Sequence, residues 1–394
     1  MITPDAHDLP ELVRELHRSG TAWLPAGLGS RLHWGPPVAA GLTVLSCAAL
    51  TGVVEHNPGD FTIGVRAGMP VAELQAVLAA ERQWLALDPA WGPAGSSVGG
   101  LVARGLAGGY RQRYLGVRDQ LIGIGLLRAD GTVARAGGRV VKNVAGYDLM
   151  RLFCGSWGSL GLITELTLRT LPLPPQRRGL LVQGEPAALA PLAAALLASG
   201  LTPERIDWCS ASLAAAAGQG ADAGLLIGLA SIDAASLEEQ AAAIAALTPL
   251  PATPLAPEAL AQVVAVFNGQ AVPEPAWLLR LGVPPGRAAP LLAEPALAGL
   301  PLQLAAGAGV GLAWAAPADA LSAARVEQAR RRCRELGGWL SVLVQPAGAS
   351  LNAWDDAPSR PLIEAVKRQF DPAGLLAPGR LPGVARPLQA DSSR

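Results

Sequence analysis

Gly138-Arg-Val-Val-Lys-Asn-Val-Ala-Gly-Tyr-Asp-Leu-Met-Arg-Leu-Phe-Cys-Gly-Ser-Trp-Gly-Ser-Leu-Gly-Leu-Ile-Thr-Glu-Leu-Thr-Leu-Arg-Thr-Leu-Pro172 joins a glycine-punctuated turn to a β-rich run. Gly146, Gly155, Gly158 and Gly161 lack a Cβ, so main-chain N–H groups there can come within hydrogen-bonding reach of a ligand. Leu162 to Arg169 then alternates apolar and polar residues at strand period, which predicts a half-buried strand. Taken alone, the stretch reads equally as a loop and a strand with no ligand. Two earlier segments decide between the readings.

The first is Trp23-Leu-Pro-Ala-Gly-Leu-Gly-Ser30, after a predicted helix over 8–19 and a short strand over 21–24. Successive N–H groups in such a turn form a nest suited to a pyrophosphate, with the Ser30 hydroxyl as a further donor. A side chain at Gly27 or Gly29 would occupy the anion's space. The third glycine of a Rossmann fingerprint is missing, because Leu32 stands there, and His33-Trp-Gly-Pro-Pro37 forbids the helix such a site needs. The second segment is Asp88-Pro-Ala-Trp-Gly-Pro-Ala-Gly-Ser-Ser-Val-Gly-Gly100. Its Gly95-Ser-Ser-Val-Gly99 formally matches a nucleophile elbow, but Trp91-Gly-Pro-Ala94 cannot be the strand that elbow requires. The downstream histidine is also absent, since the last histidine is His56. Small residues and backbone donors facing a phosphate or a ring fit better.

With all three segments together, the chain resembles FAD-binding proteins of the p-cresol methylhydroxylase and vanillyl-alcohol oxidase type, over roughly residues 1–175 and a short C-terminal piece. Within that family it is most similar to the FAD-binding E subunits of bacterial glycolate oxidase complexes, on Lys142-Asn-Val-Ala-Gly-Tyr-Asp-Leu149 and Gly155-Ser-Trp-Gly-Ser-Leu-Gly-Leu-Ile-Thr164. The resemblance implies FAD in an α+β domain of two subdomains. Pro25, Ala26, Gly27, Leu28, Gly29 and Ser30 would take the pyrophosphate. Ser96, Ser97, Gly99 and Gly100, with Pro89 nearby, would lie along the pyrophosphate and flavin side. Gly158, Gly161 and Ile163 would make main-chain contacts to the cofactor. Leu101 stands where the family often has Asn, and Trp157 where it often has Glu, so one polar contact is expected to be lost. Some relatives carry a flavin-linked histidine where this chain has Ser30, which implies non-covalent FAD.

Apolar residues make up 51% of the 394 residues and charged residues 16%, a lean surface that points to covering partner chains. A formal net charge of zero argues against nucleic acid. No basic-then-apolar leader is seen, and the alanine-rich runs are too short for a membrane span. Cys47, Cys154, Cys209 and Cys333 are scattered, so no disulfide framework, zinc site or iron–sulfur cluster is expected. Cytoplasmic residence is the default, with peripheral membrane attachment only through a complex.

Three regions are expected: a flavin-binding domain over 1–175, a cap over 176–345 and a C-terminal segment over 346–394. In the cap, strands over 179–183, 205–209, 224–230, 277–283, 302–305, 310–315 and 339–344 alternate with helices over 186–198, 236–247, 287–297 and 319–336. Two β-α-β-β-α units predict a largely antiparallel sheet with helices on one face. Pro249 to Pro257 reads as a surface linker. After a helix over 361–370, Asp371-Pro-Ala-Gly-Leu-Leu-Ala-Pro-Gly-Arg380 resembles the family's terminal segment that returns to the FAD domain; Arg380 is a candidate for an anionic substrate or the flavin edge, or a solvated arginine.

Related 2-hydroxy-acid dehydrogenases take the hydroxyl proton with a cap histidine or a histidine-bound metal, whereas His7, His17, His33 and His56 all precede the cap here. The catalytic base therefore stays unassigned. His33, Lys142 and Tyr147 are polar groups that could approach the ring or serve only structure. Three functions remain open: a glycolate oxidase FAD subunit working with a second FAD subunit and an iron–sulfur subunit on a small hydroxy acid, a self-sufficient FAD-linked oxidoreductase, and a non-catalytic scaffold.

Overall fold

The alternating run Leu162–Arg169 becomes the middle strand of a five-stranded antiparallel sheet, between Thr62–Arg66 and Leu121–Leu127, with Val53–Asn57 and Val133–Gly137 at the edges. A computed structural model describes residues 1–91, 95–138, 147–270 and 273–385. Leu166 and Leu168 face a core with Ile63, Val65, Leu74, Leu78, Leu101 and Val102. The helices Val71–Ala80 and Val98–Arg104 supply the last four of these. Ahead of this sheet, Trp23–Ala26 pairs in parallel with Thr43–Ser46 under the helix Leu9–Arg18. The predicted 21–24 strand thus starts two residues later, and its last residues run directly into the glycine loop.

The second sheet has eight strands, every pairing antiparallel, in the order Ala252–Leu255, Gln176–Gln183, Gly224–Ser231, Arg205–Cys209, Leu302–Ala305, Val310–Ala315, Trp277–Gly282, Trp339–Val344. The expected α+β class and antiparallel cap sheet are borne out. The expectation of helices on one face is not. Leu180, Val182, Ile227 and Leu279 pack against the helices Pro186–Ala198, Ala234–Ala246 and Ala323–Glu335. Leu181, Leu226 and Leu278 point the other way, into a core with Ala211–Ala216 and Pro257–Phe267. Trp34, Trp91, Trp157 and Trp354 enter that second core from outside the sheet.

Pro249 to Pro257 is not a free linker, because Ala252–Leu255 pairs with Gly179–Val182 as the sheet's edge. An edge strand tolerates Pro254, whose missing N–H would break a central ladder. The helix expected over 287–297 shrinks to Ala288–Leu292 between 3₁₀ turns at Pro285–Arg287 and Pro295–Leu297, since Pro295 cannot continue it. The helix expected from residue 319 starts at Ala323, where the Ser322 hydroxyl accepts from the Arg325 N–H.

The C-terminal segment crosses back. After the helix Arg360–Phe370, the Trp23 N–H donates to the Leu375 carbonyl at 2.8 Å and the Ala377 N–H to the Trp23 carbonyl at 2.7 Å. Arg380 is buried and donates to the carbonyls of Trp34 and Pro36. It is therefore not a solvated arginine.

Candidate functional site

Three backbone segments meet in one cleft. The loop after strand Trp23–Ala26 forms its floor, the N-terminal turn of helix Val98–Arg104 one side, and the turn Trp157–Ile163 the other. The cleft is partly open to solvent and leaves about 110 Å³ of free space for water-sized molecules. Pro25, Ala26, Gly27, Leu28, Gly29, Ser30, Ser96, Ser97, Gly99, Gly100, Gly158, Gly161 and Ile163 all line it. Pro89 does not. It lines a second cavity with Asp88, Tyr110, Arg177, Glu204 and Arg205, because the chain turns away from the cleft between 88 and 91 to meet the cap sheet.

Close backbone approach has a specific form here. A Cβ on Gly27 would stand 1.9 Å from Ser97 Oγ, the oxygen that accepts from the Gly100 N–H at 3.1 Å and caps helix Val98–Arg104. Gly27 is thus demanded by the packing of loop on helix, where the sequence suggested only the ligand's volume. Gly158 has φ +75°, and its Cβ would lie 2.7 Å from Pro25 Cγ, so it locks the third segment onto the first. Gly158→Val should therefore lower stability by ~1–3 kcal/mol, read as a shift of the unfolding midpoint, and should cost flavin retention if that locking shapes the site.

Several further groups reach the cleft. Arg31, Arg104 and Arg380 line it, and among its described lining residues there is no Asp or Glu. Such a cation-rich, acid-free wall suits a dianion. Cys47 lines it as well, with Sγ donating to the Ile163 carbonyl at 3.8 Å. Burial pushes that thiol up to about 12, so it stays protonated and is no nucleophile at neutral pH. No histidine lines the cleft; His33 is exposed and paired with Glu274 Oε1 at 2.8 Å. Trp157, in place of the frequent Glu, lines the cleft at φ +56° and packs on Trp354 with ring centroids 5.4 Å apart. Leu101 is in the core rather than in the cleft. Tyr147 is 87% exposed, and Lys142 and Gly146 lie outside the described residues.

The sequence reading missed Arg31 and Arg104. One signal was present: Arg104 is the single charged residue between Val98 and Gly109, in a run otherwise small or apolar.

Comparison with known proteins agrees with this geometry. Residues 3–137 match the family described as FAD binding domain. That match takes in the first two glycine segments of the cleft. The chain is 36% identical over 166 residues to the glycolate oxidase subunit GlcE of Escherichia coli (strain K12), covering 42% of this chain and 47% of that protein. It is 32% identical over 217 residues to the glycolate oxidase subunit GlcD of Bacillus subtilis (strain 168), covering 52% and 45%. The matched part thus spans less than half the length of these curated relatives. A solved alkyldihydroxyacetonephosphate synthase superposes with a TM-score of 0.67 over 96% of this chain and 75% of its own, at 15% identity, which shows a shared fold. The resemblance to flavin-binding relatives drawn from the sequence is borne out.

The residues along the cleft fit FAD by two structural observations. The buried Arg104 Nη1 and Arg31 Nε have no hydrogen-bond partner, and the wall around them carries positive charge without a carboxylate. FAD brings a diphosphate of the opposite charge. Its aromatic rings suit the apolar remainder of the cleft, which includes Leu24, Leu28, Leu32, Ala67 and Trp157.

Proposed function

We propose that this chain is an FAD-linked oxidoreductase subunit of glycolate oxidase type, taking part in the conversion of small 2-hydroxy acids to 2-oxo acids and passing electrons to partner chains. The observation that carries the proposal is the arginine-bearing, acid-free cleft at the junction of three glycine segments, in a chain similar to glycolate oxidase subunits. FAD, when bound, supplies the capacity to take up and release two electrons. The protein supplies the rest. Gly27 to Ser30 and Ser96 to Gly100 hold the diphosphate, Gly158 to Ile163 line the side opposite, and Trp157, packed on Trp354, adds an apolar wall. With the only cysteine of the cleft held as a thiol and no histidine along it, the cofactor is bound non-covalently.

The division of labour follows from what the cap lacks. All four histidines lie within the first 56 residues, so no imidazole of the cap can take the hydroxyl proton. Substrate oxidation then belongs to a second FAD chain. Onward transfer belongs to an iron–sulfur chain, because the four cysteines here are free and, among the described residues, no cluster suits a metal. No described helix is long and apolar enough to cross a membrane, so contact with a membrane acceptor would run through partners. Flavin would be held by 1–175 and 346–394, with 176–345 as the cap.

The isolated, FAD-loaded chain should oxidise glycolate and D-lactate with an artificial acceptor at well below ~1 per second, the low end of ordinary enzyme turnover. Co-expression with a second FAD chain and an iron–sulfur chain of this type should yield a complex with full turnover. Ordinary rates from the isolated chain, with no co-elution, would instead make it a self-sufficient oxidoreductase.

A further inference from the structure

Two guanidinium groups that line the cleft, from Arg31 and Arg104, lie over one indole behind it. Each Cζ lies 5.4 Å from the centroid of the Trp34 ring, and Trp34 is itself fully buried. Arg104 is held by Nε on the Gly100 carbonyl at 3.2 Å and by Nη2 on the Ser96 hydroxyl at 3.3 Å. Arg31 is held by Nη1 on the Ser30 hydroxyl at 2.9 Å and by Nη2 on the Trp91 carbonyl at 3.0 Å. All four partners are neutral. The remaining donors, Arg104 Nη1 and Arg31 Nε, are buried and bonded to nothing.

Among the described residues, no carboxylate lines the cleft beside this pair, and Glu274 acts on Arg31 alone. Burial pushes the Arg104 guanidinium down to about 9, and the neighbouring charge of Arg31 adds to the fall. Burial lowers Arg31 too, with Glu274 partly offsetting it. A buried guanidinium such as Arg104 with no carboxylate partner is costly, and arginine's planar fork suits the recognition of carboxylate or phosphate. The anchors also place the pair, since Ser30 ends the loop that follows the first strand and Ser96 precedes the capped helix.

We propose that Arg31 and Arg104, splayed on Trp34, form an oxyanion clamp. Its occupant is either the FAD diphosphate or the carboxylate of the small acid. This rests on reading the cleft as the FAD site and names the two side chains that give that site its anion selectivity.

The test uses apoprotein of the wild type, Arg31→Met and Arg104→Met, with circular dichroism confirming the fold. FAD and riboflavin are titrated into each, and oxalate into the FAD-loaded forms. If the clamp holds the diphosphate, each substitution weakens FAD at least about tenfold, equivalent to ~1.4 kcal/mol, while riboflavin affinity is unchanged. If it holds a substrate carboxylate, FAD affinity survives and the oxalate-induced change in the flavin absorption spectrum disappears. Should wild-type protein take up no FAD, the cofactor reading fails separately. The clamp is then judged by calorimetry with inorganic pyrophosphate, whose binding both substitutions must abolish. Arg104→Lys should keep part of the affinity, which separates charge from packing on Trp34. The same FAD affinity and oxalate response in wild type and both methionine variants, or pyrophosphate binding that is absent or unchanged where FAD does not bind, would overturn the proposal.

Discussion

Replacing Arg205 by methionine should destabilise the protein by ~3–5 kcal/mol, the usual result of removing one partner from a buried ion network. Arg205 is fully buried in the cap sheet, its Nε 2.7 Å from Asp207 Oδ2 and its Nη2 3.2 Å from Asp88 Oδ2. Asp88 lies outside the eight-stranded sheet, within the residues that match the FAD-binding family, and also accepts the Gly108 N–H at 3.0 Å. Gln303 Nε2 completes the group on Asp207 Oδ1 at 2.8 Å. Methionine at 205 would leave two carboxylates buried across the junction of the two sheets. Burial pushes Asp88 up to about 6, with Arg205 pulling it back. A carboxyl whose folded pKa is raised contributes stability that is complete below its unfolded value of ~3.9 and is lost as pH rises through the folded value. Stability attributable to Asp88 should therefore fall between about pH 4 and pH 6. Asp88→Asn, which keeps an acceptor for Gly108, should flatten that slope and cost less than Arg205→Met. Urea unfolding of the three proteins across this range checks both statements. Equal losses from the two substitutions would show that the network matters by volume, not charge.

The other large effect is expected at Lys367, one of only two lysines in the chain. Its Nζ donates to the Ser159 carbonyl at 2.7 Å, the Leu376 carbonyl at 2.7 Å and Asp371 Oδ2 at 2.6 Å. Asp371 is itself buried and accepts from the Leu375 and Leu376 N–H groups. One ammonium thus ties the C-terminal helix, the strand-like return beside Trp23 and the turn that carries Gly158 and Gly161. Lys367→Met strands the Asp371 carboxylate and should cost ~3 kcal/mol or more, with faster proteolysis after residue 359 and loss of bound flavin during gel filtration. Unchanged flavin retention together with a large stability loss would show that the latch supports the fold without shaping the cleft.

How much could be read in advance depended on whether the controlling interaction was local. The strand Leu162–Arg169 was legible because its two faces differ, and the cap strands because short apolar runs ended at glycine, proline or small polar residues. Helix Pro257–Phe267 was overlooked although Leu260, Val263 and Phe267 carry the helical spacing; the proline and alanine content before it masked the signal. The edge strand Ala252–Leu255 could not be recognised locally, since its ladder partner is about seventy residues earlier. The glycine segments of the site were visible as backbone chemistry. Pro89 was misplaced because Asp88 beside it is drawn to Arg205, 117 residues away. Arg31 and Arg104 were missed for the same reason: their meaning lies in two side chains sharing Trp34, and spacing along the chain does not record that.

The central claim is that the cleft between Gly27, Ser97 and Gly158 holds FAD without a covalent bond. An absorption spectrum of the purified protein before and after acid precipitation tests it most directly. The account predicts a flavin spectrum at close to one flavin per chain, with all the colour in the supernatant and identified there as FAD. A colourless protein that stays colourless after incubation with FAD, or flavin that remains in the precipitate, would contradict it.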